Sequence, residues 1–272
     1  MTALKDLNGR VAVVTGGASG IGLGIARQLK AEGMQLVIAD IEPGPLGAAA
    51  SELGAVAIRT DVSDYDSVEA LAQQVEQRFG RVDLVCNNAG IGSVAKIADM
   101  QISDWKWILG VNLWGVIHGV RAFLPRLLAN PAGGHIVNTA SMSGLATLPT
   151  LGGYGVTKYG VMALSEALAQ ELAMDGAKVG VSVLCPGPVR SNIKASSRNR
   201  PAGLEGGLTD VDLEDDPIHS QMRWLDPEDA GDVVVRAVKR GDFYALTHPD
   251  MGDRVEERFK AIAEAFRVAA AD

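Results

Sequence analysis

The sequence predicts an α/β protein with one doubly wound, seven-stranded parallel sheet and helices on both faces. Short runs of β-branched residues alternate along the chain with longer segments in which apolar residues recur at helical spacing. The short runs are apolar almost throughout, which is typical of strands that are covered on both faces. This alternation favours parallel strands joined by right-handed crossovers. Because no repeat or linker interrupts it, we predict a single domain over residues 1–272.

The individual elements follow from these patterns in chain order. The predicted strands are VAVVT (11–15), QLVIA (35–39), AVAIR (55–59), DLVCN (83–87), HIVNT (135–139), VGVSVLC (179–185) and FYAL (243–246). The predicted helices cover 20–32, 64–79, 103–128, 154–174 and 227–239. In the C-terminal tail, 250–272, an apolar stripe at helical spacing consists of Val255, Phe259, Ile262 and Phe266. We expect this stripe to dock on the body of the protein or on a neighbouring subunit, in preference to a membrane.

Residues 190–226 break the alternation of strands and helices. This segment has no strong apolar period, begins with several basic residues and has an acidic middle. A connection of this length inside a compact domain is usually a lid, a binding loop or a disordered segment. It follows the strand that ends at Cys185, and ligands of open α/β sheets bind beyond the carboxyl ends of strands. We therefore predict a substrate lid.

The composition argues against several classes of function. A net charge of −8 and a pI of about 5.1 disfavour nucleic acid as a partner, because the phosphate backbone is repelled. We find no apolar run near the roughly 18 residues that span a bilayer, and the start MTALKDLNGR lacks a signal-peptide core. These observations predict a cytoplasmic protein without membrane contact. Cys86 and Cys185 end strands that another strand should separate, so both are expected to be free thiols.

A glycine-rich segment follows the first predicted strand and leads into a helical pattern. Residues 15–22 read TGGASGIG. Glycines there allow a tight turn, close approach of a pyrophosphate and close packing of helix on strand, while the helix N-terminus supplies free N–H donors. In this position the segment predicts a dinucleotide site of the Rossmann fold. The candidate contacts are Gly16, Ser19, Gly20, Ile21 and Gly22.

Asp40, at the end of the second strand, indicates which dinucleotide binds. A carboxylate there can accept hydrogen bonds from the ribose hydroxyls of the adenosine. It would repel the 2′-phosphate of NADP by roughly 4 kcal/mol per pair of unit charges at about 4 Å. Positions 19 and 41 carry serine and isoleucine, so neither supplies a basic side chain that could compensate the charge of Asp40. We therefore predict NAD as the cofactor.

Further motifs make the chain resemble the short-chain dehydrogenase/reductase family from about Asn8 to His248. Besides residues 15–22, these are Asn87-Asn88-Ala89-Gly90 after the fourth strand, Asn112 in the next helix, Ser141 after the fifth strand, Tyr154-x-x-x-Lys158, and Pro186-Gly187 after the sixth strand. In this order and spacing the motifs are highly specific together. The resemblance implies a homotetramer (or a homodimer) assembled through the helices at 103–128 and 154–174.

Tyr154 and Lys158 supply the proton chemistry that alcohol oxidation needs. A free tyrosine, with a pKa near 10, is a poor base at neutral pH. Lys158 lies one helical turn further along, and its charge is expected to favour the phenolate. The resemblance implies that Ser141 holds the substrate oxygen, that Lys158 also binds the nicotinamide ribose, and that Asn112 anchors a water linking Lys158 to solvent.

The resemblance implies further cofactor contacts. Asp61 and Val62 match the pair that contacts adenine, and Asn88, Ala89 and Gly90 would flank the adenosine ribose. Pro186, Gly187 and Val189 match the loop around the nicotinamide. Ser191 stands where the family often has threonine, so it keeps the hydroxyl but loses the methyl group. No metal site is expected, because the histidines at 118, 135, 219 and 248 show no pair at ligand spacing.

These observations favour an NAD-dependent oxidoreductase acting on a secondary alcohol or ketone, with tyrosine as general acid/base. Two alternatives stay open: an NADPH-dependent ketoreductase, against which Asp40 argues, and a catalytically silent NAD-binding regulator, which would not need Ser141, Tyr154 and Lys158 together. The residues expected to select the substrate are mixed but mostly apolar, which indicates a moderately hydrophobic small molecule. They are Ser93, Met142, Ser143, Leu148 and Trp224, with the 190–226 lid.

Overall fold

A computed structural model describes residues 2–212, 214 and 222–271, and its centre is a parallel sheet. The seven strands have the order β3-β2-β1-β4-β5-β6-β7. They are β1 (Val11–Thr15), β2 (Gln35–Asp40), β3 (Val56–Arg59), β4 (Leu84–Asn87), β5 (Gly134–Thr139), β6 (Val179–Cys185) and β7 (Tyr244–Leu246). All lie within one residue of their predicted bounds, so the predicted fold class is confirmed.

Helices cover both faces of this sheet. In the described part of the chain they are α1 (Gly20–Ala31), α2 (Pro43–Leu53), α3 (Tyr65–Phe79), α4 (Ile102–Leu109), α5 (Gly115–Ala129), α6 (Gly152–Met174), α7 (Pro227–Arg240) and α8 (Gly252–Ala269). The buried faces of α1, α2 and α7 form one apolar core with the sheet. Those of α3, α5 and α6 form a second core on the opposite face. The sheet is therefore doubly wound, and its strands are apolar throughout because both of their faces are buried.

Helix α2 was not predicted from the sequence. Its first residues, PGPLGAAA, contain two prolines and two glycines, which have the lowest helix propensities. Pro43 nevertheless stands in the first turn, where a missing N–H is tolerated. Leu46 and Leu53 are buried against the sheet, so tertiary packing outweighs the weak local preference.

The helix predicted over 103–128 is interrupted. A π-helical turn, Gly110–Trp114, separates α4 from α5. The helical stretch Ile102–Ala129 as a whole has 28 residues and a mean hydropathy of 1.3, so by length and composition alone it could cross a membrane. The expectation that no segment reaches that length was therefore wrong. Much of the stretch, 44% of the apolar window, is buried inside the protein, where Phe123 and Leu127 belong to the second core.

The strand order reverses between β1 and β4. From β1 the chain steps outward to β2 and β3, then returns beside β1 with β4 and continues the other way. Loops that follow β1 and β4 therefore part at the carboxyl edge of the sheet and open a cleft between them. The position of the candidate site follows from this topology.

The two cysteines are separated as predicted. Cys86 lies in β4 and Cys185 in β6, with β5 between them. Both are free and buried. Burial raises the pKa of each thiol to about 12, so both side chains are protonated, apolar core groups.

Two further parts of the chain are the predicted lid and the C-terminal tail. Residues 192–199 of the lid form a short 3₁₀ segment, while Leu213 and residues 215–221, including His219, lie outside the described residues. In the tail, Val255 packs against the body, but Phe259 and Phe266 of α8 are 55% and 75% exposed. The stripe thus docks on this chain only at its start, and docking on a neighbouring subunit stays a prediction.

Candidate active site

The glycine loop brings backbone atoms closer together than side chains would permit. A Cβ on Gly22 would lie 2.1 Å from the Gly16 carbonyl oxygen, and one on Gly16 would lie 2.8 Å from the Cα of Ala89. Gly16 and Gly20 also have φ of +64° and +50°, a region that disfavours other residues. Ser19 precedes α1 without a side-chain cap hydrogen bond, which leaves the first-turn amides available to an anion. This loop fits a pyrophosphate group.

Asp40 is fixed beside this loop. Its Oδ2 accepts a hydrogen bond from the Ala18 amide at 3.2 Å, and its Oδ1 accepts one from the Glu42 amide at 3.1 Å. Burial raises the pKa of the carboxyl above its ordinary value, while the backbone donors lower it. The carboxylate faces the cleft and can accept hydrogen bonds from a ribose diol.

A buried threonine holds the loop that follows β4. Thr15 Oγ1 accepts hydrogen bonds from the amides of Asn88 at 2.9 Å and Ala89 at 3.1 Å. The side-chain amide of Asn88 donates to the Thr15 carbonyl at 3.1 Å. Thr15 was part of the sequence motif but was not predicted as a site residue. It fixes the distance between the two loops that border the cleft.

Tyr154 and Lys158 lie one turn apart near the start of α6. Lys158 Nζ is 5.4 Å from the centroid of the Tyr154 ring and donates to the Thr139 carbonyl at 2.9 Å. Ser141 hydrogen-bonds with Tyr154 and thereby lowers the pKa of the phenol. Three of the four predicted catalytic side chains, Ser141, Tyr154 and Lys158, are therefore brought together from the turn after β5 and from α6.

Burial acts against the charged form of both titratable groups. It raises the pKa of Tyr154 to about 12 and lowers that of Lys158 to about 8. We had expected the ammonium to make the phenol more acidic than a free tyrosine. That expectation is wrong for the protein alone. Helical spacing shows that an ammonium lies near the phenol, but it does not show that the phenol is buried, and burial has the largest effect on the pKa of Tyr154. At neutral pH Tyr154 is protonated and Lys158 is mostly charged.

Asn112 stands in the π-helical turn and is fully buried. Its Oδ1 accepts from the Ile91 amide at 2.8 Å, and its Nδ2 donates to the Ile91 carbonyl at 2.9 Å. Both halves of the side-chain amide thus hold the loop after β4 beside Lys158. The predicted role in binding a water stays a prediction.

Ser141 and Gly187 are held by the loops beyond β5 and β6. Ser141 Oγ accepts from the Ser143 amide at 3.1 Å and lies 3.4 Å from the Pro186 carbonyl oxygen, to which it donates. The Gly187 amide donates to Thr247 Oγ1 at 3.1 Å. Substitution of Gly187 would be costly, since a Cβ there would lie 2.6 Å from His248 Nδ1. These hydrogen bonds join the loop after β5 to the loop after β6, and the loop after β6 to the segment after β7.

These elements border one cleft, which has a cavity volume of about 170 Å³. Most of the predicted residues line it: Gly16, Ser19, Gly20, Ile21, Gly22, Asp40, Asp61, Val62, Asn88, Ala89, Gly90, Tyr154, Lys158, Pro186 and Ser191. The other four, Asn112, Ser141, Gly187 and Val189, are not among the residues that line it. In the described part of the chain no group of His, Cys, Asp and Glu is placed to hold a metal ion.

Sequence reasoning missed several lining residues. Ile91, Trp107 and Val111 line the cleft and pack in one cluster with Tyr154. Of the predicted substrate selectors, the 190–226 lid does line the cleft, through residues that include Ile193, whereas Ser93, Met142, Ser143, Leu148 and Trp224 do not. Ser93 is instead buried and donates to Asp210 at 3.0 Å. Glu42 and Arg198, which also line the cleft, carry no local motif that could have singled them out.

Comparison with known proteins agrees with this geometry. A family model described as short chain dehydrogenase matches residues 10–202. The "C alpha-dehydrogenase" of Sphingobium sp. is 33% identical, over 96% of this chain and 88% of that protein. The "1-deoxy-11-beta-hydroxypentalenate dehydrogenase" of Streptomyces arenae is 34% identical, over 92% of this chain and 86% of that protein.

One solved structure is similar over nearly the whole chain. It is a short-chain dehydrogenase/reductase from Burkholderia phymatum in complex with NAD, which is 35% identical. The match covers 96% of each chain with a TM-score of 0.88.

Proposed function

The chain belongs to the short-chain dehydrogenase/reductase family, and from that premise we propose that it is an NAD-dependent oxidoreductase acting on secondary alcohols or ketones. The observation that carries this proposal is that Tyr154 and Lys158 line the same cleft as the glycine loop and Asp40, with Ser141 hydrogen-bonded to Tyr154. When bound, NAD would supply the hydride acceptor or donor.

The protein's own residues would handle the proton. In ketone reduction, Tyr154 is protonated at neutral pH and can donate to the developing alkoxide. In alcohol oxidation it must first lose that proton, and the nearby charge of Lys158 and the hydrogen bond with Ser141 favour the phenolate. Ser141 is placed to orient the substrate oxygen towards Tyr154. The Thr139 carbonyl holds Lys158 in position beside both.

The cofactor contacts and the preference for NAD rest on several features. The glycine loop fits a pyrophosphate, and Asp40 fits a ribose whose 2′-hydroxyl is unmodified. The NAD complex of the Burkholderia phymatum protein supports NAD(H) binding in this fold. The predicted water held by Asn112, the adenine contact of Asp61 and Val62, and the nicotinamide contact of Val189 belong to the same proposal.

The substrate would be a moderately hydrophobic secondary alcohol or ketone. Ile91, Trp107 and Val111 line the cleft and pack in one cluster with Tyr154, and Ile193 also lines the cleft, which favours apolar groups beside the reacting carbon. The similar proteins named as dehydrogenases of a Cα position and of a hydroxypentalenate agree with an alcohol substrate. We further propose a homotetramer in the cytoplasm.

Substitution of Tyr154 by phenylalanine tests the proposal. Tyr154→Phe removes the proton-transfer group but keeps the ring, so turnover should fall by at least about 10³-fold while NAD binding is retained. Absorbance at the NADH band with a panel of alcohols measures turnover, and calorimetry measures NAD binding. The matched control is Tyr159→Phe on the same helix, whose hydroxyl donates to the Leu145 carbonyl at 2.9 Å. Substantial turnover by Tyr154→Phe would refute the assignment, and a wild-type protein that binds NAD but oxidises no alcohol would favour the silent regulator.

A further inference from the structure

Three charged side chains meet at the adenosine end of the cleft. Asp40 and Glu42 follow β2, and Arg198 reaches them from the lid. The Arg198 guanidinium donates from Nε to Glu42 Oε1 at 2.8 Å and from Nη2 to Glu42 Oε2 at 2.9 Å, a two-pronged ion pair. The charge of Asp40 also acts on Arg198. We call these three residues the ribose cluster; its net charge is −1.

Arg198 is held in this place by more than Glu42. The same guanidinium donates to the Asn192 carbonyl at 3.0 Å, which braces it against the lid backbone. Asn199 also hydrogen-bonds to Glu42. The pair Arg198–Glu42 thus joins the lid to the loop after β2 directly beside the carboxylate that we propose to bind the ribose.

We propose that Glu42 and Arg198 discriminate between the two dinucleotides, because Glu42 occupies the guanidinium that would otherwise bind a 2′-phosphate. This inference rests on the proposed function, in which Asp40 faces the 2′-position. A guanidinium fork fits carboxylate and phosphate alike. A 2′-phosphate entering the ribose cluster must therefore compete with Glu42 for Arg198, and it meets the charges of both acids.

The discrimination is invisible to local sequence reasoning. A basic side chain that could compensate Asp40 is absent from position 19 in the glycine loop and from position 41 directly after Asp40. The basic side chain near Asp40 is that of Arg198, 156 residues beyond Glu42 in the sequence, and it is paired with Glu42. Asp40 therefore repels the 2′-phosphate. Glu42 keeps the Arg198 guanidinium in an ion pair, so that Arg198 is not free to neutralise the phosphate charge.

The variant Glu42→Gln, which replaces the carboxylate by a neutral amide of similar shape, tests this inference. Calorimetry on the full chain measures its dissociation constants for NADP and NAD. Loss of the carboxylate frees Arg198 and brings the ribose cluster to zero net charge, so NADP should bind at least about tenfold more tightly. The double variant Glu42→Gln/Arg198→Gln should lose this gain. Arg198→Gln alone leaves both acids uncompensated, so it should bind NADP more weakly than the wild type.

A matched control separates this effect from a general change of charge. Glu214→Gln makes the same charge change in the lid, where Glu214 pairs with Arg190 at 3.0 Å, but Glu214 does not line the cleft. It should leave NADP binding within about twofold. The inference is overturned if Glu42→Gln binds NADP no more tightly than Glu214→Gln, or if the double variant keeps the gain.

The two proposals can fail separately. A wild-type protein that binds NAD but turns over no alcohol would contradict the oxidoreductase function. The dissociation constants would still decide the role of the Glu42–Arg198 pair, since they need no turnover.

Discussion

At the scale of single residues, burial sets the protonation states of the catalytic pair. Lys158 is 3% exposed, and its one described hydrogen bond is to a neutral carbonyl, that of Thr139. Burial desolvates the ammonium, and no carboxylate among the described residues is recorded as compensating this, so its pKa falls to about 8. The lysine can therefore lose its charge close to physiological pH, whereas Tyr154, with a pKa of about 12, keeps its proton over the same range.

A pH profile of ketone reduction tests this assignment. Lys158 is charged below its pKa and neutral above it, so kcat/KM should be level below about pH 7 and fall towards tenfold per pH unit above about 8. Tyr154 cannot cause this fall, because it stays protonated to about pH 12. In Lys158→Arg the side chain stays positively charged at all these pH values, so the fall in kcat/KM near pH 8 should vanish even if the rate is low. A fall that remains in that variant would assign it to another group.

At the scale of elements, the lid is fastened to the body by a buried carboxylate on α4. Asp104 accepts hydrogen bonds from the amides of Gly207 at 2.8 Å and Leu208 at 3.3 Å, and it pairs with Arg200. The Arg200 guanidinium also stacks over the Trp107 ring at 4.9 Å. These contacts hold residues 200–208 of the predicted lid against α4, because two backbone amides and the Arg200 guanidinium share one buried acceptor.

Asp104→Asn should loosen the lid. The variant removes the charge that pairs with Arg200, a loss that costs about 3–5 kcal/mol for a buried pair. Because the lid can open without unfolding the sheet, we expect amide exchange at Gly207 and Leu208 to accelerate at least about tenfold, with a higher KM for substrate. Asp99→Asn, an exposed acid near the same helix, is the control. Unchanged exchange in Asp104→Asn would show that other contacts hold the lid.

At the scale of the whole molecule, α8 buries little of its surface against its own chain. No residue of α8 is buried; Val255 at its start packs against the body, and the Arg258 guanidinium lies 5.1 Å from the centroid of the Tyr159 ring on α6. Because the exposed stripe is predicted to dock on a neighbouring subunit, a chain shortened to end at Val255 should have a lower oligomeric mass, and a lower Tm since subunit association stabilises the folded state. Differential scanning calorimetry and light scattering measure both. Dissociation of the oligomer would show that Phe259, Ile262 and Phe266 are covered by another subunit.

Features with local signatures were predictable from the sequence. The strands, the glycine loop, Asp40 and the pair Tyr154–Lys158 follow from spacing along the chain, and the structure gathers them around one cleft. The raised pKa of Tyr154 and the pairing of Glu42 with Arg198 were not predictable, because desolvation and long-range ion pairs depend on the tertiary fold. Helix α2 was missed for the same reason, since its stability comes from packing.

The reversal of strand order at β1 and β4 has a consequence for biosynthesis. The cleft takes residues from Gly16 on its first wall to Asn199 on the lid, so most of the chain must leave the ribosome before a complete site exists. The nascent β1–β4 half presents its glycine loop long before Lys158 and Pro186 are synthesised. Coenzyme held through the full site can therefore stabilise only the finished fold, and it cannot serve as a template for the early half.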